Sequence, residues 1–122
     1  MKVVVQNGAA HGLTRREVEA VIPLFPSGWS KSVEQITLYQ GQSESVSAVF
    51  YPKKRALGLF WPADVASVSK AEGLRELLVS LSVASERGEL PTRLSPSVRE
   101  RHNAGIGELY EKCLEALFHD AA

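Results

Sequence analysis

The stretch from Ile36 to Trp61, ITLYQGQSESVSAVFYPKKRALGLFW, constrains the fold more than any other part of the chain. It reads as three strands in succession. Ile36 and Leu38 alternate with Gln35, Thr37 and Tyr39, the period-two pattern of a half-buried strand. Val46, Ala48 and Phe50 share one face of the next strand. Ser45, Ser47, Val49 and Tyr51 share the other. Pro52-Lys53-Lys54-Arg55 fits a hairpin connection, because proline fixes one dihedral and three charges keep the tip in water. In the return, Leu57, Leu59 and Trp61 point one way and Ala56, Gly58 and Phe60 the other. That segment is apolar on both faces and so predicts an interior or covered position. The expectation is three consecutive antiparallel strands.

The flanking segments carry helix signals. Thr14 followed by Glu17 is a capping box, with Leu13 and Val18 placed as a hydrophobic staple. Val18, Val21, Ile22 and Phe25 continue at the spacing of one buried helical face, and Pro23 and Pro26 limit it. Trp29 in the following turn reads as a lid on the edge of the core. Ser69 and Glu72 open a second helix whose Leu74, Leu77, Leu78, Leu81 and Ala84 form a stripe. Gly88 is placed as its left-handed cap, with Pro91 just beyond. Ser95-Pro96 opens a third helix running to the C-terminus, weakened in its middle by Gly105 and Gly107. Val3 to Val5 adds a short strand. The fold expected is α+β, a single domain over residues 1–122, with three helices packed on a mostly antiparallel sheet of three or four strands.

A chain of 122 residues buries enough surface to need no staples, and its 44% hydrophobic and 23% charged residues are those of a globular protein. Cationic and anionic residues balance at 14 each, which disfavours a nucleic-acid binder. Cys113 is the only cysteine, so no intrachain disulfide is expected. No stretch suits a signal peptide or a bilayer span, and the expected setting is cytoplasmic, away from any membrane.

Candidates for chemistry are sparse. His11 sits in a glycine-rich loop, and His102 lies on or beside an apolar helical stripe. His119 falls where the dipole at a helix C-terminus favours a cation. None has a partner at metal-ligand spacing, so no metal or other cofactor is expected. Cys113 falls on a buried stripe without an activating neighbour. Glu34, Glu44, Asp64, Glu72 and Glu76 supply carboxylates but no recognisable pair. Lys53, Lys54 and Arg55, with Tyr51 and Trp61 nearby, form the best nucleic-acid candidate. Arg93, Arg99 and Arg101 form a second basic group.

The order of elements resembles the framework of small zincin-type metallopeptidases. A helix ends near a proline, strands follow with a Tyr51-Pro52-Lys53-x-Arg55-x-Leu57-x-Leu59 return, and a long helix comes next. The resemblance implies a related fold and an active-site helix at Lys70–Arg87. In that family the helix carries H-E-x-x-H, two histidines one turn apart on zinc and a glutamate that activates water. Here Leu77 and Leu81, or Leu78 and Ser82, stand where the pair would be, and no catalytic residue carries over. The leading expectation is therefore a non-catalytic protein-interaction or scaffold domain, a degenerate relative of such peptidases. Its partner would be an unidentified protein or a second copy in a homodimer. The surface would comprise Tyr39, Tyr51, Lys53, Lys54, Arg55 and Trp61. The alternatives are a metal-dependent hydrolase with dispersed ligands such as His11 and His102, and a nucleic-acid module using the Lys53-Lys54-Arg55 tip.

Overall fold

A computed structural model describes residues 1–118. His119 lies outside the described residues. Four strands, β1 (Lys2–Val5), β2 (Gln35–Gln40), β3 (Ser47–Tyr51) and β4 (Ala56–Trp61), form one sheet in the order β1-β2-β4-β3. β1 runs parallel to β2, β2 runs parallel to β4, and only β3 is antiparallel to its neighbour β4. The sheet is mixed, which corrects the mostly antiparallel expectation.

The β3–β4 hairpin forms as its sequence predicts. Lys54 N–H donates to the Tyr51 carbonyl and Arg55 N–H to the Pro52 carbonyl, two overlapping turns that close with Arg55 at φ +50°. The error lies one connection earlier. β2 and β3 do not pair, because the apolar-on-both-faces β4 inserts between them. The segment 41–46 crosses the end of β4, where Gly41 N–H donates to the Trp61 carbonyl at 2.6 Å. Two interstrand spacings come to about 10 Å, well within reach of six residues.

Among the described residues five α-helices, not three, accompany the sheet: α1 (Arg15–Val21), α2 (Trp29–Ser32), α3 (Lys70–Arg87), α4 (Pro96–Gly105) and α5 (Gly107–Phe118). α1 carries the full Thr14–Glu17 capping box and stops early, because the Ile22–Leu24 turn containing Pro23 tightens to 3-10 geometry. α2 is a single turn that brings Trp29 to the core. α4 and α5 divide at Ile106, between the two glycines. α3 is capped by Ser69 at its start and by Gly88, φ +70°, at its end.

The pairing register sorts the strand side chains into two faces. Val3, Ile36, Leu57 and Phe50 lie in one row of the core face, and Leu38, Leu59 and Ala48 lie in the next. These residues join Val18, Val21 and Trp29 and the α3 stripe from Leu74 to Ala84 in one hydrophobic cluster that extends to Tyr110 and Cys113. The helices pack on this face alone.

Trp61 pins that core. Its side chain is fully buried, its Nε1–H donates to the Val65 carbonyl at 3.1 Å, and the ring lies against Gly12 and Gly73. A methyl group on either glycine would fall 2.1 Å from a ring carbon, so both positions must lack a side chain. His11 packs on the same ring at 4.7 Å between centroids.

Candidate functional site: the helix-free face of the sheet

Among the described residues no helix lies against the second face of the sheet. Its side chains are Lys2 and Val4 from β1, Gln35, Thr37 and Tyr39 from β2, Ala56, Gly58 and Phe60 from β4, and Ser47, Val49 and Tyr51 from β3. Val49 is 42% exposed and Tyr51 37%, high values for large apolar side chains on a sheet. Gly58 makes room at the centre. The Tyr39 and Phe60 rings stack beside it, 4.6 Å apart and within 9° of parallel, and a methyl group at Gly58 would meet Tyr39 at 2.9 Å. Thr37 lies almost fully buried in this layer and accepts a hydrogen bond from Gln35 Nε2 at 2.8 Å.

Two hollows adjoin on this surface. One, of about 380 Å³, is lined by Val4, Gln6, Gln35, Thr37, Tyr39, Tyr51, Lys54 and Ala56. The other, of about 460 Å³, lies over Tyr51, Pro52, Lys53 and Lys54. Tyr51 and Lys54 belong to both. Of the sequence-predicted surface, Tyr39, Tyr51, Lys53 and Lys54 therefore come together. Arg55 is drawn aside: its guanidinium pairs with Glu34 at 3.0 Å and donates to the Lys31 carbonyl. Trp61 is on the opposite face and fully buried, so it is removed from the surface. Val49, Phe60, Val4 and Lys2 complete it. Val49 shares the alternation of Tyr51 within β3, and Phe60 pairs in register with Tyr39.

On the helical side, two hollows border buried polar groups. Between α3 and α4, Ser82 Oγ and His102 Nδ1 are 2.8 Å apart, and Glu86 and Arg101 approach the other ring nitrogen at 3.6 and 3.4 Å. A hollow of about 360 Å³ borders this group, with Trp29, Ile106 and Leu109 among its walls. A serine, a histidine and a glutamate in sequence suggest acyl-transfer chemistry, but the surroundings do not complete it. Ser82 lies inside α3, where backbone N–H groups are spent on the helix and cannot receive an oxyanion. Arg101 is held by Glu86 through two hydrogen bonds of 2.9 and 3.3 Å. The group acts as a polar bridge between two helices. Burial holds the His102 pKa below its usual value despite the Glu86 carboxylate, so the ring is neutral near pH 7.

The second hollow, about 270 Å³, lies between β3, α3 and the loop 90–94. Glu76 and Ser80 face it one turn apart, and Arg99 clamps Glu76 at 2.8 and 3.3 Å. Elsewhere α3 is sealed: Gly73, Leu74, Leu77, Leu78, Val79, Leu81, Val83 and Ala84 are all buried.

The two histidines weighed as dispersed ligands stand apart. His11 lies beside Trp61, at the Gly73 level of α3, and His102 lies beside Ser82. Nine residues along a helix span about 13 Å, too far for a shared ion. His11 Nε2 lies 3.2 Å from the Leu59 carbonyl, and its Nδ1 receives the Leu13 N–H at 3.2 Å. Nδ1 also lies 3.0 Å from the Leu13 carbonyl, and burial holds the His11 pKa below its usual value despite these contacts. Among the described residues no three of His, Cys, Asp and Glu converge as a metal site. Cys113 is fully buried and its thiol is pushed up to about 11 by desolvation. No helix among the described residues is long and apolar enough to cross a membrane. No protein-family model, curated protein or solved structure matches the chain.

Proposed function

We propose that this chain is a non-catalytic protein-interaction domain that binds its partner through the helix-free face of the sheet. The observation that carries the reading is the uncovered apolar layer formed by Val4, Tyr39, Phe60, Val49 and Tyr51. Exposed contiguous apolar surface of this kind marks binding sites on soluble domains. The buried stripe of α3 from Leu74 to Ala84 supports the absence of metallopeptidase chemistry from that helix. It also fits a degenerate zincin-like framework, in which the helix that held the metal has become core. The unpaired, buried Cys113 thiol fits a reducing, cytoplasmic setting.

The test is site-specific photocrosslinking in cells that express the chain. A photoreactive residue at Val49 is compared with one at Glu19, on exposed α1. A discrete adduct, sequenced by mass spectrometry, should form at Val49 only. Adducts at Glu19 alone, or equally at both sites, would refute the assignment of the face.

A further inference from the structure

Resting on that reading of the face, we infer that its occupant is an extended, acidic protein segment carrying one bulky apolar side chain. None of the side chains that form the helix-free face is a carboxylate. Its cations gather at one end. Lys2, Gln35, Ala56 and Tyr51 share the row nearest the β3–β4 hairpin, and Lys53 and Lys54 stand on the tip beyond it. All three lysines are exposed, and none makes an ion pair among the described residues. The neighbouring Arg55 is already neutralised by Glu34. In the helical layer Lys70, Arg99 and Arg101 each hold a glutamate, whereas at the hairpin end three lysines stand together without one. The hairpin end therefore presents three unpaired positive charges on a chain of zero net charge. The complement to such a patch is a local run of carboxylates.

Shape supplies the second half. The two hollows that share Tyr51 and Lys54 lead from the lysines inward to Tyr39. Tyr51, Val4 and the Tyr39 ring give the inner hollow apolar walls, and Gln6, Gln35 and Thr37 offer amide and hydroxyl groups. A bulky apolar side chain placed there leaves its flanking acidic residues over Lys54, Lys53 and Lys2. The bound segment should thus run with its acidic residues toward the hairpin and its anchor toward the Tyr39–Phe60 stack. A second copy of this chain using the same face fits less well, because it brings no carboxylate to the lysines. A single-stranded nucleic acid would supply charge. But three lysines at one end do not make the track along a backbone that such binders use, and Tyr39 and Phe60 spend one ring face each on one another.

Selection of peptides from a random display library against the immobilised intact chain tests the inference. Enriched peptides should hold two or more Asp or Glu beside one aromatic or large aliphatic residue. Their binding, read by fluorescence anisotropy, should fall at least tenfold in the double variant K53E/K54E and weaken as salt rises. The lysines are exposed, so these changes leave the core intact, and circular dichroism verifies this. Neutral or basic peptides that still lose binding in V49R would overturn the acidic occupant and keep the face. Peptides insensitive to both variants would overturn the two together. Enrichment of no peptide also sinks the acidic segment, while the crosslinking result at Val49 decides the face separately. Tighter binding of an oligouridylate than of any selected peptide, lost in K53E/K54E, assigns the patch to nucleic acid and refutes the inference. A concentration-dependent dimer abolished by V49R, with no selected peptide competing, assigns the face to a second copy and refutes it equally.

Discussion

Replacing Gly73 by alanine should destabilise the protein, although the same change in most helices stabilises it. Gly73 lies in the first turn of α3, and alanine gains about 1 kcal/mol over glycine at an unobstructed helical position. Here the added methyl would sit 2.1 and 2.2 Å from two carbons of the Trp61 ring. Carbon contacts are comfortable near 3.5–4.0 Å, so the ring must retreat by about 1.5 Å. Gly12 also approaches the ring, where a methyl group would fall at the same 2.1 Å, and the Nε1 hydrogen bond to Val65 holds the indole. Overpacking of this kind costs about 1–3 kcal/mol, and losing the indole hydrogen bond adds about 1 kcal/mol. Set against the propensity gain, the net loss is about 1–3 kcal/mol. For a chain of this length each kcal/mol moves the melting temperature by about 3–5 °C. Thermal unfolding followed by circular dichroism should therefore show G73A melting several degrees below the parent. G105A is the control. A methyl there meets nothing within 4 Å, and its melting temperature should hold or rise. Combining G73A with W61F should recover part of the loss, a coupling that additivity forbids. If G73A were as stable as G105A, Trp61 would not be wedged between Gly12 and Gly73, and its removal from the exposed surface would lose its basis.

Other outcomes follow from the buried polar groups. His11 and His102 both have pKa values lowered by burial, so the unfolded chain binds more protons than the folded one below about pH 6.5. Their contribution to stability is present above that pH and is lost as pH falls through the folded values; urea midpoints should be lower at pH 5.5 than at pH 7.5, and H102N should shrink the difference. Ser82→Ala should cost about 1–2 kcal/mol in urea unfolding by stranding His102 Nδ1. A fluorophosphonate probe should leave Ser82 unlabelled in the native protein, and stoichiometric labelling would restore a hydrolytic reading. Cys113, buried and with its thiol raised to about 11, should resist a disulfide reagent at pH 8 until the chain is unfolded.

Local signals in the sequence located most elements. The two helix N-caps at Thr14 and Ser69, the Gly88 cap and the Pro52–Arg55 hairpin all depend on neighbours within a few residues, and all form as their chemistry dictates. Strand order does not depend on neighbours. Sequential strands pair in about two thirds of cases, and β2 with β3 is one of the exceptions. The competing signal lies in β4, apolar on both faces, which favours an interior position. With β2 and β3 as its two neighbours and a short connection between them across its end, β2 and β4 run parallel. The division of the last helix at Ile106 was half legible, since two glycines predict weakness without fixing whether the helix bends or breaks.

The candidate surface divides in the same way. Alternation within their own strands puts Tyr39 and Tyr51 on the helix-free face. Grouping Trp61 with them by its aromatic character runs against its own parity. It shares alternation with Leu57 and Leu59, which are fully buried, and the β2–β4 register sets it opposite Gln40 in that same set of rows. Parity decided correctly because a one-residue slip would have exposed Leu57 and Leu59 and buried Gly58 and Phe60 in their place. What no parity argument could supply is which face the helices cover. Each strand has apolar residues on both sides, and the choice rests on the rows Val3–Ile36–Leu57–Phe50 and Leu38–Leu59–Ala48, whose larger aliphatic area meets the α3 leucines. The weaker face, interrupted by Gln35, Thr37, Gly58 and Ser47, is left uncovered by helices, and its remaining aromatic and aliphatic groups are what a partner has to work with.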